Sequence, residues 1–206
     1  HFPVLLKGTD DHLVLAFAEG TVASHYEGSV RWETLKPWLA ELCRALQELH
    51  AAGYVHRDVK PSNMVIDAIG QVVLIDFGAI AKVGERSTRL GHTAPFTPRY
   101  ASPEHQSGEE ADFDDDIYSV WATFRDLVAD DEVLPRKTSE VLKRAQGPRG
   151  SRPSLNELLD VLRGDQKEPA SLRRSMVVVF ALGALLGVVV GAASALRYVE
   201  GTVREL

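Results

Sequence analysis

The sequence predicts an α+β fold over residues 1–163 and a single membrane-crossing helix after it, and three observations carry that expectation. Leu35, Trp38, Leu39, Leu42, Leu46 and Leu49 recur at the spacing of an amphipathic helix, about 34–52, with Gly53 as its natural stop. Gln71-Val72-Val73-Leu74-Ile75 is a short apolar run of the kind a buried strand makes. Residues 64–67 read as its hairpin partner, with Ala68-Ile69-Gly70 as the turn. Residues 176–196 hold no charged side chain, and at about 1.5 Å per residue they span roughly 30 Å, enough to cross a bilayer.

The chemistry sits where the first helix hands over to the ribbon. His56-Arg57-Asp58-Val59-Lys60-Pro61-Ser62-Asn63 enters the hairpin, and Asp76-Phe77-Gly78 leaves it. Asp58 offers a carboxylate that can take a proton from a hydroxyl, and Lys60 a cation for a transferring phosphoryl group. Asn63 and Asp76 offer the hard oxygens that Mg²⁺ prefers, and the hairpin between them brings the two together. In this order of residues the chain resembles the eukaryotic-like Ser/Thr protein kinases, including their bacterial members.

That resemblance implies a protein-kinase-like fold, mostly the helical C-terminal lobe with a remnant of the N-lobe sheet, and ATP and Mg²⁺ as cofactors. It assigns Asp58, Lys60 and Thr97 to catalysis, and Asn63 and Asp76 to the metal. It places the nucleotide against Ala16, Ala18, Val65, Lys60, Asn63 and Asp76. Thr97-Pro98-Arg99-Tyr100-Ala101-Ser102-Pro103-Glu104 resembles the family's segment ending in Ala-Pro-Glu, with Ser102 in place of the alanine. There the threonine meets the catalytic aspartate and lysine beside the incoming hydroxyl. With Lys60 it implies a protein substrate with a Ser or Thr acceptor. Glu104 needs a cation if buried, and Arg152 matches the family's partner for it. Asp116-Ile117-Tyr118-Ser119 resembles the start of the central helix, whose aspartate holds the catalytic-loop backbone. Val120, Trp121, Phe124 and Leu127 carry that helix into the core. Ser87, Thr88 and Thr93 are hydroxyls of an activation segment, where an added phosphate would pair with Arg57.

The resemblance starts inside the domain. Residues 2–7 and 11–17 look like the last two strands of the small lobe, running into a hinge at 16–20. No glycine-rich loop and no Val-Ala-Ile-Lys-like lysine precede them, and Lys7 lies on the wrong strand to serve. The chain is therefore read as N-terminally incomplete, with half of the phosphate clamp outside it. The alternative function is a non-catalytic kinase-like module that binds a partner at the membrane. Trp121 stands where the family has glycine, and 128–138 is short for the usual docking helix.

Residues 164–175 read as a juxtamembrane linker and 197–206 as a short tail. Lys167, Arg173 and Arg174 precede the apolar stretch, so its N-terminal side is expected to be cytoplasmic, as ATP use also demands. Gly183, Gly187 and Gly191 recur every fourth residue, a face that lets two such helices approach, and predict a homodimer. A net charge of -6 without a basic stripe excludes nucleic acid as a partner. The single cysteine, Cys43, excludes an intrachain disulfide and reads as a core filler.

Overall fold

The computed structural model describes residues 2–8, 13–86 and 96–164. They form two units, 2–17 and 18–164, taken in turn. The first is an antiparallel hairpin of β1 (Leu5–Gly8) and β2 (Leu13–Leu15), with Leu5 opposite Leu15 and Lys7 opposite Val14. Ala16 N–H extends it by donating to the Val4 carbonyl at 2.6 Å. The first strand starts later than expected, because Pro3 has no N–H to give to a ladder.

In the second unit, β3 (Thr21–Val22) and a 3₁₀ turn (Ala23–Tyr26) lead into α1 (Trp32–Ala51). All six apolar residues singled out by their spacing are buried on one face of α1. Each leucine buried this way contributes about 1.5–3 kcal/mol, so this face anchors the unit. The helix opens two residues before the expected start. Trp32 turns in to meet the Phe124 ring edge-on at 6.4 Å. It ends as expected at Gly53, whose φ of +81° is left-handed and whose N–H donates to the His50 carbonyl at 2.9 Å. Cys43 is buried on the same face, and burial pushes its thiol up to about 12, so it is an inert filler.

After β4 (Tyr54–Val55), the ribbon forms from β5 (Met64–Ile66) and β6 (Val72–Leu74), with Val65 opposite Val73. Asp67 closes its turn by accepting the N–H groups of Ile69 and Gln71 at 2.9 and 2.8 Å. The expected two-stranded ribbon is in fact a three-stranded sheet, because β3 pairs with the free edge of β5. Gly20 permits that approach, since a Cβ there would lie 2.3 Å from the Ile66 carbonyl oxygen at a φ of +147°. On the other edge, Val72 N–H donates to Glu41 of α1 at 3.0 Å. A further short pair joins β4 to β7 (Ala81–Lys82) and returns the chain after Asp76-Phe77-Gly78.

The remaining helices are α2 (Pro103–Gln106), α3 (Phe113–Leu127), α4 (Arg136–Ala145) and α5 (Leu155–Arg163). The core lies where α1 packs against α3 and α5, with α4 closing on both. α3 begins three residues before Asp116, because Asp112 and Asp115 form a capping box at its N-terminus. Val120, Phe124 and Leu127 enter the core as expected. Trp121 does not: it is half-buried, edge-on to Tyr118 at 5.4 Å and beneath the Arg125 guanidinium at 5.0 Å.

Among the described residues no helix is long and apolar enough to cross a membrane. The apolar stretch 176–196, with Gly183, Gly187 and Gly191, and the linker after Gly164 lie outside the described residues, as do Ser87, Thr88 and Thr93.

Candidate active site

The loop between β4 and β5 is shaped by one buried carboxylate. Asp116, 0% exposed on α3, accepts the His56 N–H at 2.9 Å and the Arg57 N–H at 2.8 Å. His50 of α1 donates to it from Nε2 at 2.8 Å and stacks on Phe113. Burial opposes its ionisation most strongly, yet the bonds from His50 and the loop backbone hold the carboxyl below the usual range. These two anchored N–H groups sustain a left-handed φ of 68° at Arg57, a conformation that non-glycine residues rarely adopt. Asp58 is thereby turned toward the cavity.

Asp58 is the hub of the polar cluster that follows. Lys60 Nζ donates to its Oδ2 at 2.6 Å and to Thr97 Oγ1 at 2.8 Å. Thr97 Oγ1 in turn donates to Asp58 Oδ1 at 3.1 Å. Asn63 Nδ2 donates to the Asp58 carbonyl at 2.9 Å and to Oδ2 at 3.1 Å. Asp58 and Lys60 are only 12% and 18% exposed at the side chain, so the pair works in a partly dehydrated site.

The sheet supplies the other half. Ile75 N–H donates to the Asn63 carbonyl at 2.9 Å, which carries the β5–β6 pairing one step further and sets Asp76 beside the loop. Asp76 stands on a left-handed residue, φ 65°, with its Oδ1 accepting the Gly78 N–H at 3.1 Å. A cavity of about 280 Å³ is lined by Asp58, Lys60, Asp76, Gly78, Ala79, Phe96 and Thr97. The donor chemistry fits Mg²⁺. The Asn63 amide nitrogen is spent on Asp58, which leaves its oxygen for a cation, and Asp76 keeps Oδ2 free of the Gly78 bond. Two protein oxygens suffice for an ion that retains water and takes the rest from phosphates.

His56 is fully buried beside this cluster, against the Phe77 ring at 5.6 Å. Burial pushes its pKa down, so the ring is neutral, and its Nδ1 accepts the Asp58 N–H at 3.4 Å. Glu104 and Arg152 form their ion pair at 2.7 Å, and the Arg149 N–H also donates to Glu104 at 3.0 Å. Burial opposes ionisation of Glu104, while Arg152 and the backbone donors hold its pKa below the ordinary value.

The structure thus brings together Asp58, Lys60, Thr97, Asn63 and Asp76. It places Val65 in the middle of the sheet, 4% exposed. Ala16 belongs to the hairpin, where its N–H is taken by Val4, and Ala18 opens the second unit. Several functional neighbours escaped sequence reasoning. Ser102 Oγ donates to Asp115 Oδ1 at 2.6 Å, and Arg149 joins the same carboxylate at 3.0 Å. Ser102 in place of alanine was the visible sign, since a buried hydroxyl needs a partner. His50 gave no such sign.

A helical unit whose loop sets a carboxylate, a lysine and a threonine around one cavity, with the second carboxylate of Asp76 in its lining, has the arrangement of a protein-kinase-like domain. The family model for the protein kinase domain matches residues 4–161, and the chain belongs to that family. It is similar to the serine/threonine-protein kinase PknB of Mycobacterium tuberculosis, 32% identical over 114 residues, 53% of this chain and 18% of the relative. It is similar also to the Rho-associated protein kinase let-502 of Caenorhabditis briggsae, 35% identical over 112 residues, 52% of this chain and 9% of the relative. The citron Rho-interacting kinase of Mus musculus is 37% identical over 98 residues, 45% of this chain and 5% of the relative. The matched region spans less than a fifth of the length of each of these relatives.

Proposed function

We propose that this chain carries the catalytic lobe of a membrane-anchored Ser/Thr protein kinase, transferring phosphate from ATP to a protein hydroxyl. The observation that carries this reading is the Asp58 carboxylate pinned between Lys60 and Thr97 in the cavity that Asp76 also lines. A carboxylate accepts about four hydrogen bonds. Lys60, Thr97 and Asn63 supply three to Asp58, which leaves a place for the acceptor hydroxyl. As the oxygen attacks the γ-phosphorus, its proton passes to Asp58 and the bond from phosphorus to the bridging oxygen breaks, releasing ADP. Lys60 has three N–H donors and spends two on Asp58 and Thr97; the third is available to a phosphoryl oxygen as charge builds there. Thr97 fixes both partners and borders the acceptor. Asn63 and Asp76 would hold Mg²⁺, which supplies charge neutralisation on the phosphates when bound.

Asp58→Asn keeps the shape of the site and removes the base. Transfer to Ser/Thr substrates should fall by about 10²–10⁴, the usual worth of a positioned base. If the variant protein keeps full activity in a radiolabel transfer assay, Asp58 is not the base. If neither form transfers phosphate although ATP binds, the non-catalytic module is the better reading. The membrane part of the proposal rests on the uncharged stretch 176–196, with the kinase unit on the cytoplasmic side. A dimer through Gly183, Gly187 and Gly191 predicts that Gly187→Ile abolishes cross-linking in membranes; unchanged cross-linking would end that idea. A phosphate on Ser87, Thr88 or Thr93 would have Arg57 to meet, whose buried Nε and Nη2 have no hydrogen-bond partner among the described residues.

A further inference from the structure

We infer that Arg99 and Arg125 select protein substrates with a carboxylate or phosphate close to the acceptor hydroxyl. This rests on the kinase reading of the site and adds its substrate class. Thr97 opens a tight turn, its carbonyl accepting the Tyr100 N–H at 2.9 Å and the Ala101 N–H at 3.1 Å. Arg99 stands within that turn, two residues from the threonine that borders the acceptor. The turn is tied to α3, where Ser119 Oγ donates to the Tyr100 carbonyl at 2.8 Å. Gln106 holds it from α2 by donating to the carbonyls of Pro98 and Ala101 at 3.0 and 2.8 Å. A side chain on so constrained a turn has a defined place beside an incoming peptide.

Asp126 is the centre of the charge arrangement. Its side chain is 1% exposed, and Arg99 Nε lies 2.7 Å from Oδ2. Arg125 Nε donates to Oδ1 at 3.0 Å. The two guanidiniums lie over the buried carboxylate with 59% and 41% of their own side chains exposed. Solvent therefore meets the arginines and not the aspartate. Arg99 pairs with Asp126 through Nε and Arg125 donates to it from Nε, so the Nη groups of both, the fork shaped for a bidentate carboxylate or phosphate, are not spent on Asp126. Arg125 is braced further by lying over the Trp121 ring at 5.0 Å, so little side-chain freedom is left to lose on binding. Exposed Glu27 is the other carboxylate that acts on Arg99, and it acts least of all the groups around it. A basic substrate would have to displace two cations from Asp126 before using it; an acidic one finds two prepared donors.

Arg99 follows Thr97 by two residues in the chain, so the recognised anion is sought within about three residues of the acceptor. The test uses the whole chain with ATP and Mg²⁺ and peptides holding one Thr flanked at those distances by Glu, Ala or Lys. Transfer is measured on the Thr peptides, and binding by fluorescence anisotropy on versions with Ala in place of Thr. One exposed ion pair contributes up to about fivefold in affinity, so Glu peptides that meet two arginines should exceed Ala peptides by about twofold to twentyfold, and Lys peptides should rank last. In the Arg99→Gln, Arg125→Gln double variant the Glu-to-Ala ratio should collapse toward one. A ratio is immune to a general loss of activity. Equal use of Glu and Lys peptides, a preference for Lys, or a ratio unchanged in the double variant would each overturn the inference. If no peptide is phosphorylated, this chain by itself is not an active kinase, and the anisotropy ratio still decides whether the arginines choose acidic partners.

Discussion

His105 should make the stability of this protein depend on pH between neutrality and mild acid. It lies at the buried end of α2, 2% exposed, tilted against the Phe96 ring at 5.1 Å, with neither ring nitrogen hydrogen-bonded among the described residues. Burial first, and the nearby Arg57 charge second, push its pKa from 6.5 down to about 4. The unfolded chain therefore takes up the proton before the folded one. Stability is full above about pH 6.5, falls as the pH drops below that value, and stops falling near pH 4. From 6.5 down to pH 5 the penalty grows over about 1.5 pH units at about 1.4 kcal/mol each, or about 2 kcal/mol. The perturbation is His105→Leu, which fills the site without a titratable group. Urea unfolding of both proteins at pH 7.5 and pH 5 measures the difference of differences, in which every other titrating group cancels. The variant should lose about 2 kcal/mol less than the wild type on acidification. It should also be no less stable at pH 7.5, because no hydrogen bond is removed. Equal losses for the two proteins would show that His105 is not held neutral by its surroundings.

Asp116→Ala strands the buried N–H groups of His56 and Arg57 and the His50 ring at once. At about 1–3 kcal/mol for each of these three unsatisfied groups the cost should be about 3–9 kcal/mol in denaturant unfolding, with loss of transfer from the slackened loop; a change under about 1 kcal/mol would mean that Asp116 does not hold the loop. Gly20→Ala should destabilise by more than about 2 kcal/mol, because its Cβ meets the Ile66 carbonyl of the central strand and the backbone conformation resists any side chain. A melting temperature equal to that of the wild type would show that β3 can move away from β5 at no cost.

Much of this site was legible in the chain because its chemistry is local in sequence. Asp58, Lys60 and Asn63 lie within six residues, so one loop delivers them, and the alternation of short apolar runs told where the loop ends. The leucine spacing of α1 was equally plain, since burial of one helical face leaves a period in the sequence. Gly53 marked the end of that helix for the same local reason, its freedom to take a positive φ. What only the tertiary structure decided depends on partners far along the chain. Asp116 was one acid in an acidic run until α3 carried it under the loop between β4 and β5, 60 residues from His56. β3 is too short to leave a pattern and exists because Gly20 lets it reach β5. Trp121 had the spacing of a core residue, yet α3 turns it half toward solvent, where Arg125 covers it. Asp126 shows the same limit most clearly: a lone aspartate in the sequence becomes the seat of two arginines. Electrostatic partners are chosen by distance in space, which sequence order does not encode.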